Sequence, residues 1–114
     1  MGGSIDRISP KLQSASFALS PGRTYTLSAS TKSAGVGGTY TPKVWVLELD
    51  ANDNVLTTSQ GGYIQHAASA SRGTSGWGVR SKTFTTDSRC RRALVYANIY
   101  KGYGTFWVDD IQVK

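Results

Sequence analysis

Internal disulfides are excluded at once, because the 114 residues hold a single cysteine, Cys90. Stability must therefore come from packing, or from packing plus a metal. There is also a single histidine, His66, distant from Cys90 in the chain, which gives no support to a Cys–His nucleophile pair. Acids are scarce: Asp6, Glu48, Asp50, Asp53, Asp87, Asp109 and Asp110 are the whole set. A glycosidase needs two carboxylates facing each other across the substrate. Only Glu48 falls mid-strand in the pattern below, and adjacent Asp109 and Asp110 point to opposite faces of a regular strand. Gly-rich phosphate loops, zinc-ligand spacings and nucleophile elbows are all missing. Catalysis is not expected.

Long apolar runs are lacking too, so membrane insertion is not expected. Met1-Gly2-Gly3-Ser4 reads as a cloning remnant, and any secretion signal would lie upstream of it. Residues 5–114 then form one domain with a modest core. The net charge of +6 raises the prior for an anionic partner. The basic residues are scattered, however, with the densest group (Arg89, Arg91 and Arg92) in a polar loop, so a nucleic-acid partner is not expected.

What the chain does have is β-pattern. Residues 24–30 alternate and are rich in β-formers, after a turn at Ser20-Pro21-Gly22-Arg23. Residues 11–19 read as a strand and 33–38 as a flexible glycine-rich loop. Residues 43–49 give the strongest strand, which ends in the turn cluster Asp50 to Asn54 and resumes at 55–58. The turn cluster has some acids of a calcium loop but not its closing Glu, so a plain turn is expected. Residues 61–78 look irregular; 79–86, 93–100 and 105–114 read as strands. No segment shows a helical period. About seven or eight short strands separated by turns predict an all-β, antiparallel β-sandwich of the jelly-roll kind.

Four pieces of sequence carry a resemblance. They are Leu19-Ser20-Pro21-Gly22-Arg23-Thr24-Tyr25-Thr26-Leu27-Ser28-Ala29, the hairpin over 46–56, Trp77 with Ser81-Lys82-Thr83-Phe84-Thr85-Thr86, and Gly104-Thr105-Phe106-Trp107-Val108-Asp109-Asp110-Ile111-Gln112-Val113. In this order they resemble jelly-roll carbohydrate-binding modules of the galactose-binding-like type. Such modules usually begin with an extra strand bearing a Gly-Phe-Glu-like turn, which is not evident here. The chain either starts late or is a shortened variant, and an uncovered edge would invite homodimerisation. The resemblance implies a polysaccharide or oligosaccharide ligand and an extracellular or cell-surface location within a larger secreted protein. It also implies that Asp109 or Asp110 helps hold a structural calcium, although the N-terminal Glu that commonly completes that site is missing. The alternative is that this pair caps a bulge or meets a neighbouring base.

Sugars stack their C–H faces on Trp and Tyr and direct their hydroxyls to planar polar side chains. Along 93–100 one face holds Ala93, Val95, Ala97 and Ile99, and the other holds Leu94, Tyr96, Asn98 and Tyr100. The first suits the core. The second suits a sugar, or equally an outer sheet face clad in β-formers. Tyr63, Gln65 and His66 sit in the irregular stretch, where binding residues are common, with a lone His more often a surface residue than a ligand. Trp45 is ambiguous: periodicity favours a core face of Trp45, Leu47 and Leu49, leaving Val44, Val46 and Glu48 outside, whereas the resemblance turns it outward. Trp107 should face away from the core, since Phe106 and Val108 fit inside. Trp77 reads as a packing anchor. The candidate ligand residues are thus Tyr96, Asn98, Tyr100, Trp107, Tyr63 and Trp45. A structural, adhesion or assembly module of a cell-surface or fibre protein is the competing function.

Overall fold

The computed structural model describes residues 5–8 and 11–114, with side chains from Gln13 onward. The proposed remnant at 1–4 lies outside the described residues. The described chain is all-β. Its strands are β1 (Ile5–Ile8), β2 (Lys11–Gln13), β3 (Phe17–Ala18), β4 (Thr24–Gly38), β5 (Lys43–Leu49), β6 (Gln65–Ser69), β7 (Gly73–Thr85), β8 (Arg92–Asn98) and β9 (Gly102–Val113). One sheet runs β1-β9-β4-β7. The other runs β2-β8-β5-β6, with β3 also on β8. All the pairings are antiparallel.

The two sheets face each other across an apolar core. β4 contributes Leu27 and Ala29, β7 Phe84, and β9 Phe106, Val108, Ile111 and Val113; from the opposite sheet come Val44, Val46, Ala68, Ala93, Val95 and Ala97. Because side chains alternate along a strand, burying these residues turns the intervening ones outward. β8 follows the expectation, with Ala93, Val95 and Ala97 inside and Tyr96 and Asn98 on the other face. β5 does not. Val44 and Val46 are fully buried in the sandwich and Trp45 faces out, because Val44 pairs with Ala97 and Val46 with Val95, both core residues.

Several loops and strands differ from the pattern reading. Residues 33–38 are the end of β4 rather than a flexible loop, paired with β9 through Gly38↔Gly102. The glycines allow the backbones to touch: Gly38 has φ of 117°, and a Cβ there would lie 2.4 Å from the Gly102 Cα. Residues 61–78 contain β6 and the start of β7; small residues hid the alternation. The strand expected over 11–19 is split into β2 and β3, and 55–58 makes only isolated bridges at Val55 and Thr57. Ile5–Ile8, not anticipated as a strand, runs along β9 at the sheet edge. The turns match: Gly22 has φ of 62°, and buried Thr86 ties the turn by donating to the Ser20 carbonyl at 2.7 Å and accepting from the Arg23 N–H at 3.0 Å.

Glu48 was expected outside but is fully buried. Its Oε2 meets His66 Nε2 at 2.5 Å and its Oε1 accepts the Asp87 backbone N–H at 2.8 Å. The His66 ring lies 4.5 Å from that of Phe84 and nearly parallel to it. A buried carboxylate persists only when its oxygens are satisfied, and this one joins β5, β6 and the loop before β8. Glu48→Ala is expected to lower the unfolding free energy by about 3 kcal/mol, read by urea denaturation; a change near zero would show that the carboxylate carries no structural weight.

Candidate functional site

The outward face of β5 and β8 forms the floor of a groove of about 630 Å³, within the roughly 300–1,000 Å³ usual for ligand sites. Trp45, Leu47, Tyr96 and Asn98 lie along the floor strands. Gln13 comes from β2, Gln65 from β6, and Tyr40, Thr41, Lys43, Tyr63 and Tyr100 complete the lining. The register produces the juxtaposition: Gln13 stands opposite Tyr96, and Tyr96 opposite Trp45. The site is thus a row across three strands, with no dependence on one loop's conformation.

The Trp45 and Tyr96 rings are nearly parallel, 8° apart, with centroids separated by 5.8 Å. Each has its polar atom tied to a carboxamide. The Trp45 indole N–H donates to Asn98 Oδ1 at 3.1 Å, and the Tyr96 hydroxyl donates to Gln65 Oε1 at 2.6 Å. These bonds occupy the carbonyl ends of both amides, so each presents its NH2 as the group left to meet a ligand oxygen. Burial pushes the Tyr96 hydroxyl above its ordinary pKa, and Tyr63 adds to the effect; it stays a neutral donor at physiological pH. At one end Tyr40 and Tyr100 lean together, with centroids 5.4 Å apart, both well exposed. Tyr63 is exposed on the rim.

Five of the six expected ligand residues therefore meet in one groove: Trp45, Tyr63, Tyr96, Asn98 and Tyr100. Trp107 does not join them. It faces outward on β9, in the opposite sheet, with Lys32 Nζ 5.2 Å from its ring centroid. Sequence alternation identified it as outward-facing but could not say on which side of the sandwich. Trp77, read as a packing anchor, is 53% exposed on β7. The groove residues missed from sequence were Gln13, Tyr40, Thr41, Lys43 and Leu47. Gln13 lies on a strand too short to show a period, and Gln65, noted in the irregular stretch, lies on β6.

Asp109 and Asp110 sit at a break in the β4–β9 register, where Asp110 takes φ of 53°. The irregularity keeps both between buried Val108 and buried Ile111, so they do not alternate as in a regular strand. Asp109 Oδ1 accepts the Asp110 N–H at 2.7 Å, and Asp110 Oδ1 accepts from Gln112 Nε2 at 3.1 Å. Calcium takes six to eight oxygens. Among the described residues no three His, Cys, Asp or Glu side chains gather to hold a metal. Asp50 Oδ1 accepts the backbone N–H groups of Asn52 and Asn54, which hold its pKa below the ordinary value. It closes a turn.

The basic cluster is engaged with neighbouring groups. Arg89 pairs with Asp87 at 2.8 Å and Arg92 with Asp53 at 2.9 Å, while Arg91 caps the Ser88 and Cys90 carbonyls.

No protein-family model matches the sequence, and no curated protein matches it in sequence. Solved structures do share its shape. A Clostridium thermocellum chain carrying the CBM22-1 and GH10 modules of endo-1,4-β-D-xylanase 10B, complexed with xylohexaose, aligns over 84% of this chain with a TM-score of 0.59 and 20% identity. A CBM4 structure aligns over 91% with a TM-score of 0.60 and 18% identity. A family 16 carbohydrate-binding module aligns over 95% with a TM-score of 0.55 and 20% identity. The fold is that of jelly-roll carbohydrate-binding modules. The chain spans 17% of the xylanase chain, 59% of the CBM4 chain and 74% of the family 16 module.

Cys90 is fully buried, and burial together with the nearby Glu48 carboxylate raises its pKa to about 11. It is a neutral thiol at pH 8 and no nucleophile. Folded protein at pH 8 should resist alkylation by iodoacetamide and react promptly once unfolded in urea; fast labelling of the native state would contradict this.

Proposed function

We propose that this chain is a non-catalytic carbohydrate-binding module that takes a segment of polysaccharide into the β5–β8 groove. The observation that carries this reading is the pair of parallel rings, Trp45 and Tyr96, each braced by a carboxamide whose NH2 is presented to a ligand. Aromatic faces supply contact area for sugar C–H groups at low entropic cost, and the amides supply orientation. Among the described residues no carboxylate lines the groove, which argues against glycoside hydrolysis there, since that needs two. The shared fold makes xylan-type and other plant-wall glycans the first ligands to test. An extracellular location within a larger secreted protein fits this use.

A second reading, a structural or assembly module, draws on the opposite sheet. There Trp77 and Val79 are 53% and 73% exposed, a patch that could pair two copies. Sedimentation showing a tight homodimer that dissociates in Trp77→Ser would favour it.

Affinity electrophoresis in gels containing xylan, glucan, mannan or galactan should show retardation by at least one polymer. Trp45→Ala and Tyr96→Ala should each weaken it at least about tenfold, equivalent to ~1.4 kcal/mol. Rim Tyr63→Ala, at an exposed position, should weaken it less while changing stability little. A chelator should have no effect, since Asp109 and Asp110 lie on the other sheet. Unretarded migration on every polymer would refute the proposal.

A further inference from the structure

The polar groups of the groove are unbalanced. The Asn98 and Gln65 carboxamide oxygens each accept one bond, from Trp45 and Tyr96, and both side chains line the groove with NH2 donors to offer. Lys43 adds an ammonium group, whose bond to Thr41 Oγ1 at 3.1 Å uses a single proton. Among the described residues no Asp or Glu lines the groove, so the charge it presents is cationic.

The imbalance is concentrated at the Tyr100 end. The Lys101 Nζ lies 5.4 Å from the Tyr100 ring centroid. Lys43 stands opposite Asn98 on one side, and Lys11 is in register with Asn98 on the other. Neither Lys43 nor Lys101 takes part in an ion pair among the described residues. The acids whose side chains the structure describes are elsewhere. Glu48 points into the core, Asp50, Asp53 and Asp87 lie in loops at the far end of β5, and Asp109 and Asp110 are on the opposite sheet.

Resting on the carbohydrate-binding reading, we propose that the Tyr100 end of the groove is a subsite for an anionic substituent on the polysaccharide, a uronic-acid carboxylate or a sulfate ester. Such a group is purely an acceptor and matches the donors of Lys43 and Asn98, with Lys101 supplying a second positive charge over Tyr100. Charge-assisted hydrogen bonds of this kind are stronger than neutral ones. Their long-range part falls with salt.

The test is calorimetric titration with three oligosaccharides of one backbone: neutral, uronate-substituted and sulfated. At about 20 mM salt the acidic ligands should bind about five- to tenfold tighter than the neutral one, and at about 500 mM the gap should shrink severalfold. Lys43→Met should reduce the acidic-to-neutral affinity ratio toward one, while Lys43→Arg should keep it. A uronate preference without a sulfate preference would assign the subsite to carboxylates; equal preference would assign it to charge alone. Equal affinity for neutral and acidic ligands at low salt would overturn this inference and leave the carbohydrate-binding reading standing. No binding to any of the three, nor to the polymers above, would overturn both.

Discussion

The burial of Val44, Val46, Val95 and Ala97 is the constraint on which the rest depends. These four pair across β5 and β8, Val44 with Ala97 and Val46 with Val95, and their side chains fill the space between the sheets. A strand has only two faces. Once the valines go in, Trp45 and Tyr96 have to come out, and the same register sets them opposite each other. The groove is therefore a consequence of core packing. A one-residue slip of β5 against β8 would exchange the faces, burying Trp45 and exposing the valines, which the hydrophobic effect opposes along the whole strand.

The outward pair would be poor chemistry without its supports. An indole N–H and a phenol O–H next to each other on a half-buried sheet need partners. Asn98 and Gln65 provide them from β8 and β6, at the same time fixing which end of each amide faces the groove. Structure, hydrogen bonding and function meet in these two contacts. They hold the rings, and they leave the amide NH2 groups as donors. On the core side the equivalent support is the Glu48–His66 contact, which joins β5 to β6 from beneath.

Much of the fold was legible in the sequence, because β8 and the start of β4 alternate cleanly and the Pro21-Gly22 and Asp50 turns carry recognisable residues. What was illegible has a common cause. Periodicity cannot rank two apolar faces. On β5 the choice lay between Trp45, Leu47 and Leu49 on one side and Val44, Val46 and Glu48 on the other; a charged residue tipped it the wrong way, since nothing local shows that His66 and the Asp87 N–H wait inside for that carboxylate. Trp107 illustrates a second limit. Its outward direction follows from Phe106 and Val108, but which of the two outer faces it joins is decided by sheet membership, which depends on long-range pairing. Glycine and alanine around 61–78 and 33–38 blur the third: small residues let strands approach closely and leave no pattern to read.

The measurement that most directly tests the groove is the indole region of a ¹H–¹⁵N correlation spectrum, titrated with whichever polysaccharide fragment the gels select. The chain has three tryptophans and hence three indole N–H signals. The Trp45 signal should shift with saturation, because its N–H lies beside the ligand and is bonded to Asn98, while those of Trp77 and Trp107, on the other sheet, should stay in place. Shifts at Trp77 or Trp107 with a still Trp45 would place the sugar on the opposite face and contradict the account.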